Sequence, residues 1–293
     1  MAVSEQQLIT WSKPLSKTED TKCQNVVSQV TQVLRTKFGY GIDIFLQGSY
    51  QNDTNVKQDS DVDIVVRYNG SYFPNLVFLS DEQKRIYDAN TQDASYHFPQ
   101  FKNDVELVLK NKFGTDAKRK DKCIFIQGNT NRVNADVVPC FPMKRMSDAY
   151  TAGAIGIKFI SDDGGTVESY PEQHYANGVT KNTATSRMYK RTVRMLKNIR
   201  NNLIDTGVIK EKFISSFFIE SLVYNVPNTN FNQYNYSETL KKVIKKIYDD
   251  MDNAITVNEY VEVSELMYLF RGSDRSAADV RKFMLKCWEY AGF

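Results

Sequence analysis

Histidine is nearly missing from this chain: His97 and His174 are the only two in 293 residues, and neither has an acid or serine arrangement beside it in the sequence. Nothing therefore supports a Ser-His-Asp hydrolase. Cysteine is scarce as well. Cys23, Cys123, Cys140 and Cys287 stand far apart, with no Cys-x-x-Cys pair and no neighbouring histidine, so zinc is not expected and core thiols are the plain reading. No apolar run approaches the roughly 20 residues that a membrane span requires. The opening Met1-Ala2-Val3-Ser4-Glu5 is neither basic nor followed by an apolar stretch, so a cytoplasmic protein with no membrane partner is expected. A net charge of +3 is too small to draw nucleic acid by bulk electrostatics, and anionic ligands should be small. Internal repeats and low-complexity tracts are also missing.

What is present is the composition of an ordinary globular protein, 41% hydrophobic and 25% charged with 17 Tyr and 17 Phe. The length suits about two domains. A capped helix is predicted after Ser16, with Glu19 completing a capping box and Cys23, Val26, Val27, Val30, Val33 and Leu34 on one face. Gly39-Tyr40-Gly41 stops it, and strands are predicted over 42–46 and 61–67. Helices near Ser80 and from Pro99 follow, then a strand pair over 122–126 and 132–138, and a hairpin over 156–160 and 166–170. Beyond Pro171 the pattern turns helical, over 185–204, 214–225, 237–251, 261–270 and 276–290. The change from mixed to helical composition falls at 171–184, where Pro, Gly, Asn and Thr accumulate.

The chemistry gathers around Gly48-Ser49 and, a polar loop later, Asp61-Val62-Asp63 at the head of a β-branched run. At strand period two the carboxylates of Asp61 and Asp63 share a face and repel unless a cation lies between them. A third acid, Asp136, stands alone in the later apolar strand. Two acids on one strand and one on another can hold two divalent ions for in-line phosphoryl transfer, and an all-oxygen donor set favours Mg²⁺ or Mn²⁺. The alternatives are a solvated edge-strand pair for Asp61 and Asp63, and an ion pair with Arg132 for Asp136. Gly-Ser adds backbone N–H groups and a hydroxyl suited to phosphate oxygens.

Arg187, Lys190, Arg194 and Lys197 recur at spacings of three and four. Lys197 borders the apolar line, where it can be aimed at a triphosphate, whereas Arg187 reads as a solvated charge. Ser215-Ser216-Phe217 offers either phosphate-binding hydroxyls and a base-stacking aromatic, or simply an N-cap and core aromatics. Glu220 is an odd acid in an apolar run, for which Arg194 or Arg200 is the expected partner.

Together these residues resemble the DNA polymerase β-like nucleotidyltransferase superfamily, with its Gly-Ser, loop, Asp-x-Asp and later Asp. Within it, Gly48-Ser49-Tyr50 with Thr54-Asn55, Asp61-Val62-Asp63, Ala135 to Phe141, Arg191-x-x-Arg194-x-x-Lys197 and Ser215-Ser216-Phe217 followed by Glu220 to Pro227 resemble the bacterial CD-NTases. These cGAS/DncV-like enzymes make cyclic oligonucleotides, and the likeness is to the CdnE-type cyclic dinucleotide synthases. The resemblance implies that Asp61, Asp63 and Asp136 ligate two Mg²⁺ ions, with Mn²⁺ able to substitute. Gly48 and Ser49 would hold the donor triphosphate, Lys197 and Ser216 its outer phosphates, and Phe217 would face the base. It implies condensation of GTP and/or ATP into a second messenger for anti-phage (CBASS) signalling, read by a downstream effector.

Members of the family that accept uridine place an Asn before an aromatic-Pro pair. Here Ser169 precedes Tyr170-Pro171, which implies a purine product, cyclic di-GMP first and cyclic di-AMP second. The chain lacks the zinc-ligand cluster of the animal DNA sensor, so no nucleic-acid activator is expected, and a monomer is. The expected fold is α+β and two-lobed: a catalytic core with a mixed β-sheet over 1–175, and an α-helical lobe over 176–293 closing the nucleotide cleft. Two other readings stand beside this one: a nucleotidyltransferase acting on an RNA end, a protein or a small molecule, and a catalytically silent nucleotide or RNA sensor.

Overall fold

The computed structural model describes residues 3–56 and 61–293. Residues 57–60, the end of the polar loop leading to the two acids, lie outside the described residues. In chain order, α1 (Glu5–Trp11) and α2 (Lys17–Phe38) precede β1 (Ile42–Gln47), the one-turn α3 (Gly48–Gln51) and β2 (Val62–Tyr68). Then come β3 (Phe73–Asn75), α4 (Asp81–Ala89), α5 (Phe98–Phe113), β4 (Ala117–Arg119) and β5 (Ile124–Ile126). The long β6 (Ala135–Met146), β7 (Ala152–Ile160) and β8 (Thr166–Ser169) complete the strands. The remaining helices are α6 (Pro171–Ala184), α7 (Met188–Asp205), α8 (Ser216–Tyr224), α9 (Tyr236–Asp250), α10 (Ala254–Glu259) and α11 (Ala277–Ala291).

Two compact units form, each discontinuous in sequence. The first comprises Ser16–Gln47 and Asp61–Pro171, and the second Met1–Leu15, Gly48–Ser60 and Glu172–Phe293, as far as these are described. The first unit is built on a mixed sheet ordered β1-β2-β6-β5-β4, with β3 and β7 also on β6 and β8 on β7. β2 lies between β1 and β6, and both of its faces are covered, Val62, Ile64, Val65 and Val66 all being fully buried, which is why apolar residues are not confined to alternate positions. α2 and α5 pack on each other and on this sheet. The capping box of α2 is present, Ser16 N–H donating to Glu19 Oε2 at 3.0 Å and Glu19 N–H to Ser16 Oγ at 3.3 Å. Its buried face is Cys23, Val26, Val30 and Leu34.

The second unit is helical. α7 runs through its core, burying Tyr189, Val193, Leu196, Ile199 and Leu203, and packs against α1, α8, α9 and α11. Glu5 of α1 ties into this unit by accepting from the Tyr236 and Ser237 amides at 2.7 and 2.9 Å, at the start of α9. A carboxylate suits those otherwise unpaired helix-start donors.

One expected helix needs correction. The helix expected over 261–270 does not form. Asn253 accepts from the Ile255 and Thr256 amides and starts α10 earlier. The Asn225 amide then takes both backbone groups of Val261, at 2.8 and 3.0 Å, leaving a bridge between Val261 and Tyr268 and a left-handed Glu265 at φ 59°. The stretch 171–184, where the composition changes, is the helix α6 with Pro171 at its first position, where a missing N–H costs nothing, and the chain passes from the sheet unit to the helical unit at Pro171/Glu172. No helix among the described residues is long and apolar enough to cross a membrane.

Candidate active site

In the sheet unit, β2 and β6 run parallel with Asp63 directly opposite Asp136, which places their backbones at the roughly 4.8 Å spacing of paired strands. Asp63 is half-buried, and Asp61, two residues earlier at the strand entry, is exposed. Asp136 does not pair with Arg132, whose guanidinium binds Asp116 at 2.7 Å. Its neighbours are the Lys120 ammonium, 3.7 Å from Oδ1, and the Cys123 thiol. Burial pushes that thiol above its ordinary pKa, and the Asp136 carboxylate pushes it further.

Among the described residues no three His, Cys, Asp or Glu side chains are gathered into a metal-holding cluster; the strand pairing sets Asp63 beside Asp136, with Asp61 two positions before Asp63. The pair nevertheless suits a hard cation. Asp136 Oδ1 is buried and has no hydrogen bond; Lys120 Nζ, at 3.7 Å, compensates it only from beyond hydrogen-bond range, and an ionised oxygen so weakly compensated favours a closer cation. An oxygen donor set of this kind fits a divalent ion such as Mg²⁺. The four cysteines are buried and free.

In the helical unit, Gly48 follows the end of β1 with φ 67°, a left-handed conformation that glycine adopts without the steric cost of a Cβ. It opens the single turn α3 rather than the isolated tight turn that Gly-Ser suggests. The following corner is tied by the Thr54 amide donating to the Ser49 carbonyl at 2.9 Å. α3 packs against α8, so the elements carrying Ser49 and Ser216 touch. At the start of α8 the two serines divide the work: Ser215 is the N-cap, accepting from the Phe218 amide, and Ser216 occupies the first turn. Phe217 is 43% exposed, with its ring centroid 5.7 Å from that of His174, whereas Phe218 is core.

Lys197 is buried, 1% exposed. Its Nζ donates to the Thr54 carbonyl at 2.9 Å and to Thr54 Oγ1 at 3.2 Å, and it stands 3.8 Å from Glu220 Oε2. Glu220 in turn accepts from Thr54 Oγ1 at 2.8 Å and lies 3.0 Å from His174 Nε2. Its expected partners go elsewhere. Arg194 donates to the carbonyls of Ser12 and Asp53, and Arg200 to those of Ile214 and Glu211. Burial alone would raise the Glu220 carboxyl, but His174, Lys197 and Thr54 outweigh it and hold it below the usual carboxylate range. Sequence reasoning missed Thr54 and His174. The signal available was a pair of isolated polar residues, His174 and Glu220, whose separation by 46 positions hides their contact.

Ser169 ends β8 opposite Ile157. Its carbonyl lies 2.5 Å from where a Cβ on Gly156 would stand, so the glycine permits the close approach that fixes this strand end.

Comparison with known proteins agrees with this architecture. Residues 5–161 match the Second Messenger Oligonucleotide or Dinucleotide Synthetase domain, and residues 176–292 the cGAS/DncV-like nucleotidyltransferase C-terminal helical domain. The chain is 52% identical to the cyclic dipurine nucleotide synthase of Elizabethkingia meningoseptica, with both proteins covered in full. It is 38% identical to the cyclic dipyrimidine nucleotide synthase of Cecembia lonarensis, covering 99% of each. The solved structure of the Elizabethkingia meningoseptica CdnE cyclic dinucleotide synthase with GTP and Apcpp superposes with a TM-score of 0.84 at 50% identity, covering 99% of each chain. With its paired aspartates on a mixed sheet and its serine-bearing helices, the chain belongs to the cGAS/DncV-like family of second messenger oligonucleotide or dinucleotide synthetases.

Proposed function

We propose that this protein condenses two purine nucleoside triphosphates into a cyclic dinucleotide, with cyclic di-GMP the first product to test and cyclic di-AMP the second. The observation that carries the reading is the Asp63–Asp136 pair on adjacent parallel strands, with a buried Asp136 oxygen that has no hydrogen bond. The dipurine specificity of a relative 52% identical over the whole chain supports the choice of purines, as does Ser169 in place of an Asn before Tyr170-Pro171. A relative solved with GTP and Apcpp supports use of both GTP and ATP, so a mixed purine ring is a further outcome to resolve.

Asp61, Asp63 and Asp136 would hold two divalent ions, Mg²⁺ with Mn²⁺ as a substitute. When bound, such ions lower the pKa of an attacking hydroxyl and neutralise charge on the leaving pyrophosphate. The chain's own contribution is positioning and charge placement, as phosphoryl transfer generally demands. Gly48 and Ser49 hold the donor triphosphate, Ser216 meets its outer phosphates, and Lys197 acts from beneath through the Thr54 corner. Phe217 offers a partly exposed ring to the base. The ribose hydroxyl of the acceptor attacks the donor α-phosphate, one pyrophosphate leaves, and a second round on the linear intermediate closes the ring. The product would act as a second messenger read by an effector in anti-phage defence, in the cytoplasm, with the enzyme a monomer of two domains meeting at 175/176.

Incubation with GTP, ATP, CTP and UTP plus Mg²⁺ tests this directly. A phosphatase-resistant product whose mass is that of a cyclic dipurine is expected. Nucleotide transfer only to an added RNA, protein or small-molecule acceptor overturns it, and pyrophosphate release untouched by Asp63→Asn with Asp136→Asn overturns the assignment of the acids.

A further inference from the structure

A cavity of about 320 Å³ in the helical unit is lined by Lys13, Arg187, Lys190, Arg191 and Arg194, with Asp53 as the one acid in its wall. Five cations facing one carboxylate is an unbalanced arrangement, and two of the five are not surface charges. Lys190 is 6% exposed and Arg194 4%. Among the described residues the Lys190 ammonium has no hydrogen-bond acceptor, only the Tyr175 ring at 5.8 Å. Burial holds both groups below their ordinary pKa values, Asp53 opposes the shift in each case, Glu220 from outside the cavity also opposes it for Lys190, and a neighbouring arginine adds to it. Buried cations crowded together are destabilising unless an anion compensates them.

We infer that this cavity is a second anion site, built for a small, multiply charged phosphate ligand such as an inorganic or nucleoside polyphosphate, and that its occupancy is coupled to Ser49 through Asp53. The volume fits a small ligand, at the lower end of the range for such pockets. The recessed Lys190 and Arg194 favour a compact ligand that enters the hollow over a nucleic acid, which tracks cations spread along a face.

The coupling follows from what Arg194 holds. Its Nη1 donates to the Asp53 carbonyl and stands 3.4 Å from Asp53 Oδ1, and its Nε donates to the Ser12 carbonyl at 2.8 Å. Asp53 sits at a left-handed corner, φ 51°. Its amide donates to the Tyr50 carbonyl at 3.2 Å, and the next residue, Thr54, donates to the Ser49 carbonyl. A ligand anion competes with the Asp53 carboxylate for Arg194 and so loosens the corner that fixes Ser49. Binding at the cavity stands by itself, whereas the coupling rests on Ser49 as a donor-phosphate ligand.

The test is calorimetric titration of the full chain with inorganic tripolyphosphate, without divalent metal. Two double variants are compared with wild type: Lys190→Gln with Arg187→Ala at the cavity, and Ser49→Ala with Ser216→Ala at the donor site. The cavity variant should lose one binding event, and the donor variant should keep it. Equal titrations of wild type and cavity variant overturn the site. A donor variant that titrates like wild type, while the cavity variant loses its event, leaves the cavity standing and removes the donor-site reading instead. Oligonucleotides that bind more tightly than tripolyphosphate, and more so with length, overturn the small-ligand assignment.

For the coupling, tripolyphosphate with metal in excess should raise the donor KM about fivefold in wild type. It should leave the KM of the cavity variant and of Asp53→Asn unchanged; the same rise in all three overturns it.

Discussion

Thr54 and Glu220 are joined by a hydrogen bond of 2.8 Å between side chains that are both buried. Lys197 completes a relay: its ammonium donates to Thr54, and Thr54 donates to Glu220. The residue that follows the Gly48 to Asp53 corner is thus fixed by a buried ion pair, with the charge of each partner compensated inside the same unit. Glu220→Gln keeps a hydrogen-bond acceptor but leaves the buried Lys197 charge unpaired, a loss on the scale of about 3–5 kcal/mol. Urea unfolding should show that loss, and Thr54→Val, which removes the hydroxyl's bonds to both Glu220 and Lys197, should cost about 1.5–3 kcal/mol, the scale of hydrogen bonds to charged groups. If Glu220→Gln were as stable as wild type, the relay would be decorative.

The same carboxylate sets a pH dependence. Glu220 titrates below its ordinary value in the folded state because His174, Lys197 and Thr54 outweigh burial, with Lys190 and Tyr189 also facing it. For an acid so depressed, the unfolded chain binds more protons, so its contribution is complete above the unfolded pKa of about 4.3 and disappears as pH falls through the folded value. The stability gap between wild type and Glu220→Gln should therefore be constant from neutral pH down to about 5 and narrow below about 4. A gap that stays the same to lower pH rejects this account.

Asp136 tests the acids in the opposite sense. Replacing it with Asn removes a half-buried charge whose Oδ1 has no hydrogen bond, so the metal-free protein should be at least as stable as wild type. Product formation should nevertheless fall at least about a hundredfold, the scale of deleting one preorganised charge-stabilising group. Asp63→Asn should behave alike, because the two stand opposite each other on β2 and β6. Melting temperature measured beside product yield separates a lost site from a lost fold.

Much of this architecture is legible in the sequence, for reasons that differ by element. The α2 helix is, because its cap, apolar face and glycine stop all lie within one window. The β2 strand is, because Ile64, Val65 and Val66 follow Asp63 as an unbroken β-branched run. The pairing of Asp63 with Asp136 is legible only as chemistry, since their register depends on a parallel alignment of residues 73 positions apart. The role of Asn225 was invisible. Its amide replaces the backbone partners of Val261, far along the chain, and so unmakes a helix that local periodicity favours. The same holds for Glu220: local context marks it as anomalous, but only the fold supplies His174 and Thr54. Nor does sequence order reveal that α1 and the Gly48 to Val56 stretch pack with the C-terminal helices, because both are short and their anchors, Glu5 and Thr54, are single side chains.

Base choice is the last point the structure makes testable. Ser169 ends β8 in register with Ile157, and the missing Cβ of Gly156 lets its carbonyl approach closely. The backbone there is fixed by packing, so Ser169→Asn should change the side chain and little else. An amide supplies both a donor and an acceptor, matching the N3–H and O4 edge of uracil, whereas a hydroxyl matches it less completely. Sites built to hydrogen-bond a particular edge discriminate strongly, because a mismatched partner leaves buried polar groups unpaired. With the four triphosphates in competition, Ser169→Asn should raise UMP incorporation relative to GMP at least about tenfold, read by product mass spectrometry. Gly156→Ala, which forces the Ser169 carbonyl to move, should lower overall yield without that shift. If Ser169→Asn leaves the product mass unchanged, base choice is set elsewhere in the site and Ser169 is only the end of a strand.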